Sequence, residues 1–286
     1  MPRTTGRPAI VTDSTAALSV GLAAERGVTV VPLQVVIGAK ALTEGIDVSP
    51  GDIAEALRAF TPVSTSRPTP ETFRKVYADA AATGASEVVS IHLSSELSGT
   101  FESAKLAARD ADVPVHCVDS RQIGAAVGFA ALSAADARDE GADGTEVAAV
   151  ARKRAVGATA LFYVDTLEFL RRGGRVGIAA ALVGSALAVK PLLTVRDGKI
   201  IPLEKVRTAA RAIGRLEELA VEHALQAPSG VDLAVQHLAN EDHAQAVATR
   251  LRERLEVDYV PVSEVEAAIG AHVGPGMLAV TVSPRP

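Results

Sequence analysis

The chain has 286 residues, long for one compact domain and comfortable for two. Hydrophobic residues make up 48% and aromatic residues 3%, with no Trp, so the interior must be built of Ala, Val, Leu and Ile. A net charge of −5 argues against a nucleic-acid surface, which needs a basic stripe, and the single Cys117 excludes an intramolecular disulfide framework and a Cys-rich zinc site.

The N-terminal stretch lacks the apolar region of a signal peptide, and no window approaches the ~20 apolar residues of a membrane span. A cytoplasmic protein with no membrane span is expected. Residues 9–12 read as a short strand ending in Asp13-Ser14-Thr15, followed by a helix over 19–26. Residues 28–37, rich in β-branched side chains, read as the next strand. Ser49-Pro50-Gly51-Asp52 starts a helix to about Phe60: Ser caps, Pro takes the first position and Asp faces the positive end of the dipole.

Residues 64–70 carry a hydroxyl cluster, Ser64, Thr65 and Ser66, held extended by Pro68 and Pro70. Thr69 is placed to cap a helix over 71–82, which leaves Thr65 and Ser66 without a capping task. Residues 86–92 form an apolar run that reads as a buried strand, and 101–109 have helical spacing. Between them Ser94, Ser95, Ser98 and Thr100 crowd a strand-to-helix turn around Gly99. Ordinary helix caps would explain one or two of these hydroxyls. Four suggest a ligand site at a helix N-terminus. Consecutive strand ends of a parallel sheet lie on one edge, so both clusters are expected to face one crevice.

A strand over 113–118 ends in Asp119-Ser120, and helical patterns follow at 125–140 and 145–156. This alternation predicts an α/β domain with a mainly parallel sheet over residues 1–160. Residues 161–286 read as a second α/β domain with a mixed sheet. A short helix, 165–172, is stopped by Gly173-Gly174, with Arg175 next. Residues 178–189 read as a buried helix ended by Lys190-Pro191. Asp197-Gly198 is a two-residue hairpin signal. A helix to about 225, a strand over 231–238, a helix over 242–255 and strands over 259–265 and 277–282 complete the chain.

His272, among Gly270, Gly274, Pro275 and Gly276, stands out: its backbone is tightly shaped and its ring is aimed somewhere specific. The other histidines show no metal spacing. A Ser/His-dependent lipid or ester hydrolase is weighed as the enzyme alternative, with Asp13 or Asp119 to orient His272. There is no Gly-x-Ser-x-Gly elbow to support it. No Gly-x-Gly-x-x-Gly or Walker A sequence supports nucleotide binding.

As an ordered set, Asp13-Ser14-Thr15, Thr65-Ser66-Arg67-Pro68, residues 93–100, Asp119-Ser120, residues 165–175, Lys190-Pro191, residues 205–208 and His272-Val273-Gly274-Pro275-Gly276 resemble the DegV family over nearly the whole chain. The resemblance implies two α/β domains holding one long-chain fatty acid, such as palmitate or oleate, in an apolar tunnel. It implies a non-catalytic, lipid-carrying subunit of a bacterial fatty acid kinase, with no metal or cofactor of its own and a separate ATP-using kinase as partner. By the same resemblance Thr65, Ser98 and His272 bind the carboxylate; Ser66 and Ser95, their neighbours in the two hydroxyl clusters, are further candidate fatty-acid contacts. Arg175 and Arg207 match positions linked to kinase docking. Arg67 departs from the family, where Gln is usual. The chemistry agrees: burying a tail contributes about 0.8 kcal/mol per CH₂, so ~14 methylenes give on the order of 11 kcal/mol gross. The head group then need only orient.

Overall fold

The computed structural model describes residues 6–182 and 190–285. Contacts divide them into two compact units. One holds the described residues up to Leu33 together with Arg67–Val156; the other holds Gln34–Ser66 and Gly157–Arg285. The expected division at residue 160 is therefore corrected: 34–66 join the C-terminal unit, and Thr65 leaves the domain of Ser98. The cause lies at Pro32. Residues 28–37 are not one strand, because proline has no N–H for a ladder. They split into Val28–Val31 and Gln34–Ile37, which enter different sheets.

The first unit is built on a four-stranded, all-parallel sheet in the order Val28–Val31, Ala9–Asp13, Val88–His92, Val115–Asp119. Ile10, Val89, Ile91 and Val118 pack against an Ala-rich layer from helices Ala125–Asp139 and Gly144–Gly157. Val11, Val31 and Val88 pack on the other side with Phe73 and Tyr77 of Pro70–Ala82 and with Ala104 and Ala107 of Thr100–Ala107. Cover on both faces is why Val88–His92 is buried at every position. The strand order reverses between Ala9–Asp13 and Val88–His92. Their carboxyl ends, Asp13 and the turn after His92, therefore lie at a topological switch point, where open α/β sheets take ligands.

The second unit has a six-stranded mixed sheet in the order Lys199–Val206, Lys190–Arg196, Thr159–Tyr163, Leu278–Pro284, Val231–His237, Val262–Glu264. All its pairs are antiparallel except the last. Asp197 and Gly198 both have positive φ, 52° and 79°, as the hairpin signal predicts. Helices Ala209–Leu225 and Glu241–Leu255 close its core, where Leu161, Leu192, Leu216 and Leu278 are fully buried. Each such side chain contributes about 1.5–3 kcal/mol.

The same unit carries a small antiparallel sheet, Lys40–Thr43, Gln34–Ile37, Val63–Ser66. Thr65 pairs with Val35 in it. The stiff loop expected at 64–66 is thus a strand, and Thr65 does not lie on the edge of the parallel sheet. Ser49 and Asp52 form a full capping box on helix Pro50–Arg58, and Thr69 caps Pro70–Ala82. Of the helix expected over 178–189, Gly177–Leu182 is a 3-10 helix with Ile178 exposed, and 183–189 lie outside the described residues.

Candidate functional site

His272 sits in the last turn of helix Ala267–Val273, which packs against helices Pro50–Arg58 and Glu168–Arg172 and the small sheet. Its Nε2 lies 2.9 Å from the Thr65 hydroxyl oxygen, 207 residues away. Nδ1 is buried without a hydrogen-bond partner. Burial first, and then the charge of Arg175, push the imidazole down to about 4 from its ordinary value. At neutral pH the Thr65–His272 pair is therefore uncharged.

Two glycines let this helix approach so closely. Glu168–Arg172 ends in a Schellman motif: the Arg175 N–H donates to the Leu170 carbonyl and the Gly174 N–H to that of Arg171, at 2.9 and 3.0 Å. Gly174 takes the left-handed position, φ 71°. Gly173 is needed for space instead: a Cβ there would lie 2.0 Å from His272 Nδ1. Across the same interface, a Cβ on Gly274 would lie 2.1 Å from the Phe169 ring.

A cavity of about 530 Å³ opens beside the pair. Leu57, Val63 and Phe169 give it apolar wall; Thr65, Arg172, Arg175 and His272 give it a polar one. Arg175, which the family resemblance matches to a partner-docking position, is half-buried here, its Nη1 donating to the Gly173 carbonyl at 2.6 Å. Arg207 is exposed, in the turn before helix Ala209–Leu225, whose cap is Thr208. Phe60, also at the cavity, was not singled out by sequence. It takes the left-handed position after Pro50–Arg58, φ 55°, and is 85% exposed. Glycine is the usual residue there, and a side chain costs about 1–2 kcal/mol, so no sequence signal points to it.

The hydroxyl turn of the other unit is mostly self-bonded. Ser94, fully buried, accepts from the Glu96 N–H at 3.2 Å. Ser95 donates its hydroxyl to Asp119 at 2.6 Å and its N–H to the same carboxylate at 3.2 Å. Ser98 accepts from the Thr100 N–H at 3.3 Å and meets the Thr100 hydroxyl at 2.9 Å, partly exposed. Gly99 is the N-cap of Thr100–Ala107, without a side-chain cap bond. Arg67 lies over this turn: a Cβ on Gly99 would come 1.9 Å from its Nη1. Ser66 is exposed at the end of its strand, where successive side chains face opposite ways, so it points away from Thr65's side.

The hydrolase arrangement at His272 does not form. Asp13 bonds His92 and Asp119 bonds Ser95, while His272 bonds Thr65. A Ser–His–Asp series with hydrolase-like spacing does occur, Ser90–His92–Asp13, but all three are fully buried and reach no substrate. Among the described residues no cluster of His, Cys, Asp or Glu could hold a metal, and no helix is long and apolar enough to cross a membrane.

Fold and site together define a two-unit α/β protein with a neutral hydroxyl–imidazole pair at the polar side of a cavity. The chain belongs to the DegV family, whose model, described as that of an uncharacterised protein family, matches residues 7–285. It is 55% identical over 278 residues to a DegV domain-containing protein of Streptomyces coelicolor, covering 97% of this chain and 98% of that one. Two solved structures match at 32% identity, each over 98% of this chain and 100% of the other. One, reported for fatty acid binding, is a DegV family protein from Thermus thermophilus, TM-score 0.91; the other is DegV, a fatty acid binding protein from Bacillus subtilis, TM-score 0.90.

Proposed function

We propose that this protein binds one long-chain fatty acid, of the palmitate or oleate type, and presents it to a separate ATP-dependent fatty acid kinase in the cytoplasm. Its carboxylate is recognised by Thr65, Ser98 and His272. The observation that carries the reading is the end-to-end match to solved fatty-acid-binding relatives at 32% identity. The Thr65–His272 pair supports it chemically. A neutral imidazole and a hydroxyl orient a carboxylate by hydrogen bonds without clamping both oxygens, as a bidentate Arg would. That leaves an oxygen able to attack a phosphoryl group. Arg175 and Arg207 are assigned to the kinase encounter.

Mass spectrometry of lipid extracted from the denatured protein tests the reading. One fatty acid per chain is expected. No fatty acid in the extract, together with no binding of added oleate or palmitate, would overturn it.

A further inference from the structure

We propose that His92 is a positioning residue for Ser98, acting through the buried carboxylate of Asp13. The inference rests on the reading of Ser98 as a carboxylate contact and extends it inward.

Asp13 and His92 end neighbouring parallel strands at the switch point, and both are fully buried. Four donors converge on Asp13. One oxygen accepts from the Thr15 hydroxyl at 2.6 Å and the Thr15 N–H at 3.1 Å. The other accepts from His92 Nδ1 at 2.9 Å and the Leu93 N–H at 3.0 Å. A carboxylate offers only lone pairs, so Nδ1 carries a proton, and Nε2 at the far side of the ring lies 2.7 Å from the Ser90 hydroxyl. Tyr77 donates in turn to Ser90 at 2.9 Å, and Phe73 stands edge-on to the imidazole, 5.0 Å between centroids. Every polar atom of the series is satisfied, and the ring plane is fixed.

The series ends on the turn that carries Ser98. Leu93, held by Asp13, is followed by Ser94, whose N–H donates to the Gln122 carbonyl at 2.8 Å. The Ser94 carbonyl accepts from the N–H groups of Leu97 and Ser98, both at 3.0 Å. The place of Ser98 is therefore set from residues 93 and 94. Without the Nδ1 proton, one Asp13 oxygen keeps only the Leu93 N–H in a site sealed from water. A buried acceptor left short of donors reorients its group. The turn follows, and a head-group contact fails on a misplacement of about 0.5 Å.

Two substitutions separate the ends of the ring. His92→Asn sets an amide N–H where Nδ1 stands; His92→Gln sets its amide at the Nε2 end and loses the bond to Asp13. The readout is the preference for oleate over oleyl alcohol, a ratio that general destabilisation leaves alone. It is measured on wild type, Ser98→Ala, His92→Gln, His92→Asn and Ser90→Ala, with folding checked by circular dichroism. Ser98→Ala and His92→Gln are expected to lower the preference about tenfold or more. His92→Asn and Ser90→Ala are expected to retain it. If His92→Gln retains the preference, or loses acid and alcohol equally, while Ser98→Ala loses the preference, the positioning role is overturned and the reading of Ser98 stands. An unchanged preference in Ser98→Ala overturns both. If His92→Gln does not fold, Asp13→Asn takes its place, removing the carboxylate that His92 Nδ1 and the Leu93 N–H share: loss of the preference there with retention in Ser90→Ala supports the role, and retention in Asp13→Asn overturns it.

Discussion

The Thr65–His272 pair and the 93–100 turn are both hydroxyl-bearing polar clusters, and they are built in opposite ways. The turn is local. Its serines lie within a few residues of each other, and most of their capacity is spent on neighbouring backbone or on Asp119. The pair joins residues 207 apart and leaves an imidazole nitrogen buried without a partner. A dense run of hydroxyls thus chiefly stabilises its own turn, and Ser98 is the member of it that the proposed function assigns to the ligand. A pair assembled over long range is held by packing, so it is vulnerable at the packing contacts.

Gly173 is where that vulnerability is greatest. Its Cβ position lies 2.0 Å from His272 Nδ1, so Gly173→Ala must displace the ring. Overpacking of this kind costs about 1–3 kcal/mol of stability. With both His272 and Thr65 out of place, fatty acid affinity should fall more than about a hundredfold. Gly174→Ala is the control. It meets no atom but must hold φ 71°, which costs about 1–2 kcal/mol. Calorimetric binding and melting should show similar stability losses with affinity lost only at Gly173. Equal affinities in the two variants would mean that the ring is not set by this contact.

Within the turn, Ser98 and Ser95 should part company. If Ser98 contacts the carboxylate as proposed, Ser98→Ala removes a hydrogen bond to a charged group, worth about 1.5–3 kcal/mol, and should weaken fatty acid binding ten- to hundredfold with little effect on a fatty alcohol. Thr65→Ala should do the same. Ser95→Ala leaves Asp119 short of a donor and should lower stability by about 1–3 kcal/mol while keeping the acid-to-alcohol preference. Loss of that preference in Ser95→Ala would restore it as a head-group contact.

These differences also mark what could be read from the chain itself. Capping at Ser49 and Thr69, the Asp197-Gly198 turn and the buried run ending at His92 depend on neighbours in sequence, and each is legible there. Thr65, Ser98 and His272 drew notice through composition and glycine context. Their environments were not legible. Thr65 lies in an antiparallel strand because residues 34–37 leave the first sheet after Pro32, and local pattern does not encode that pairing. Gly173 reads as a helix stop, a task done by Gly174 as much, while its need for space comes from a helix a hundred residues on. Ser95 looks as free as Ser98 until Asp119 is placed beside it.

Acid should expose the pair next. Folded His272 takes a proton only near pH 4, whereas in the unfolded chain it does so near 6.5. Between those values the unfolded chain binds more protons, so stability falls as pH drops through 6.5 and the loss is complete below about 4. The full effect is on the order of 3 kcal/mol. Denaturant unfolding of wild type and His272→Gln at pH 7 and pH 4 measures it. The two proteins should converge in acid by that amount, and parallel pH profiles would show that the ring is not buried neutral.

The smallest effects separate the two arginines assigned to the partner. Arg175 is half-buried at the cavity, and its charge is the second cause, after burial, of the low His272 value. Arg175→Gln should therefore raise that value only part of the way, as followed by NMR titration of the imidazole. Arg207 is exposed beyond the cavity lining, so Arg207→Glu should leave the titration and fatty acid affinity unchanged, with stability within about 0.5 kcal/mol. Both variants should slow acyl phosphate formation when the kinase is supplied, but for different reasons. On the docking reading Arg207 acts on the encounter alone, so raising the kinase concentration should restore its rate. Arg175 also acts on the imidazole, so part of its loss should persist at saturation. Full recovery of both at high kinase would make Arg175 a docking residue alone, despite its place in the cavity wall.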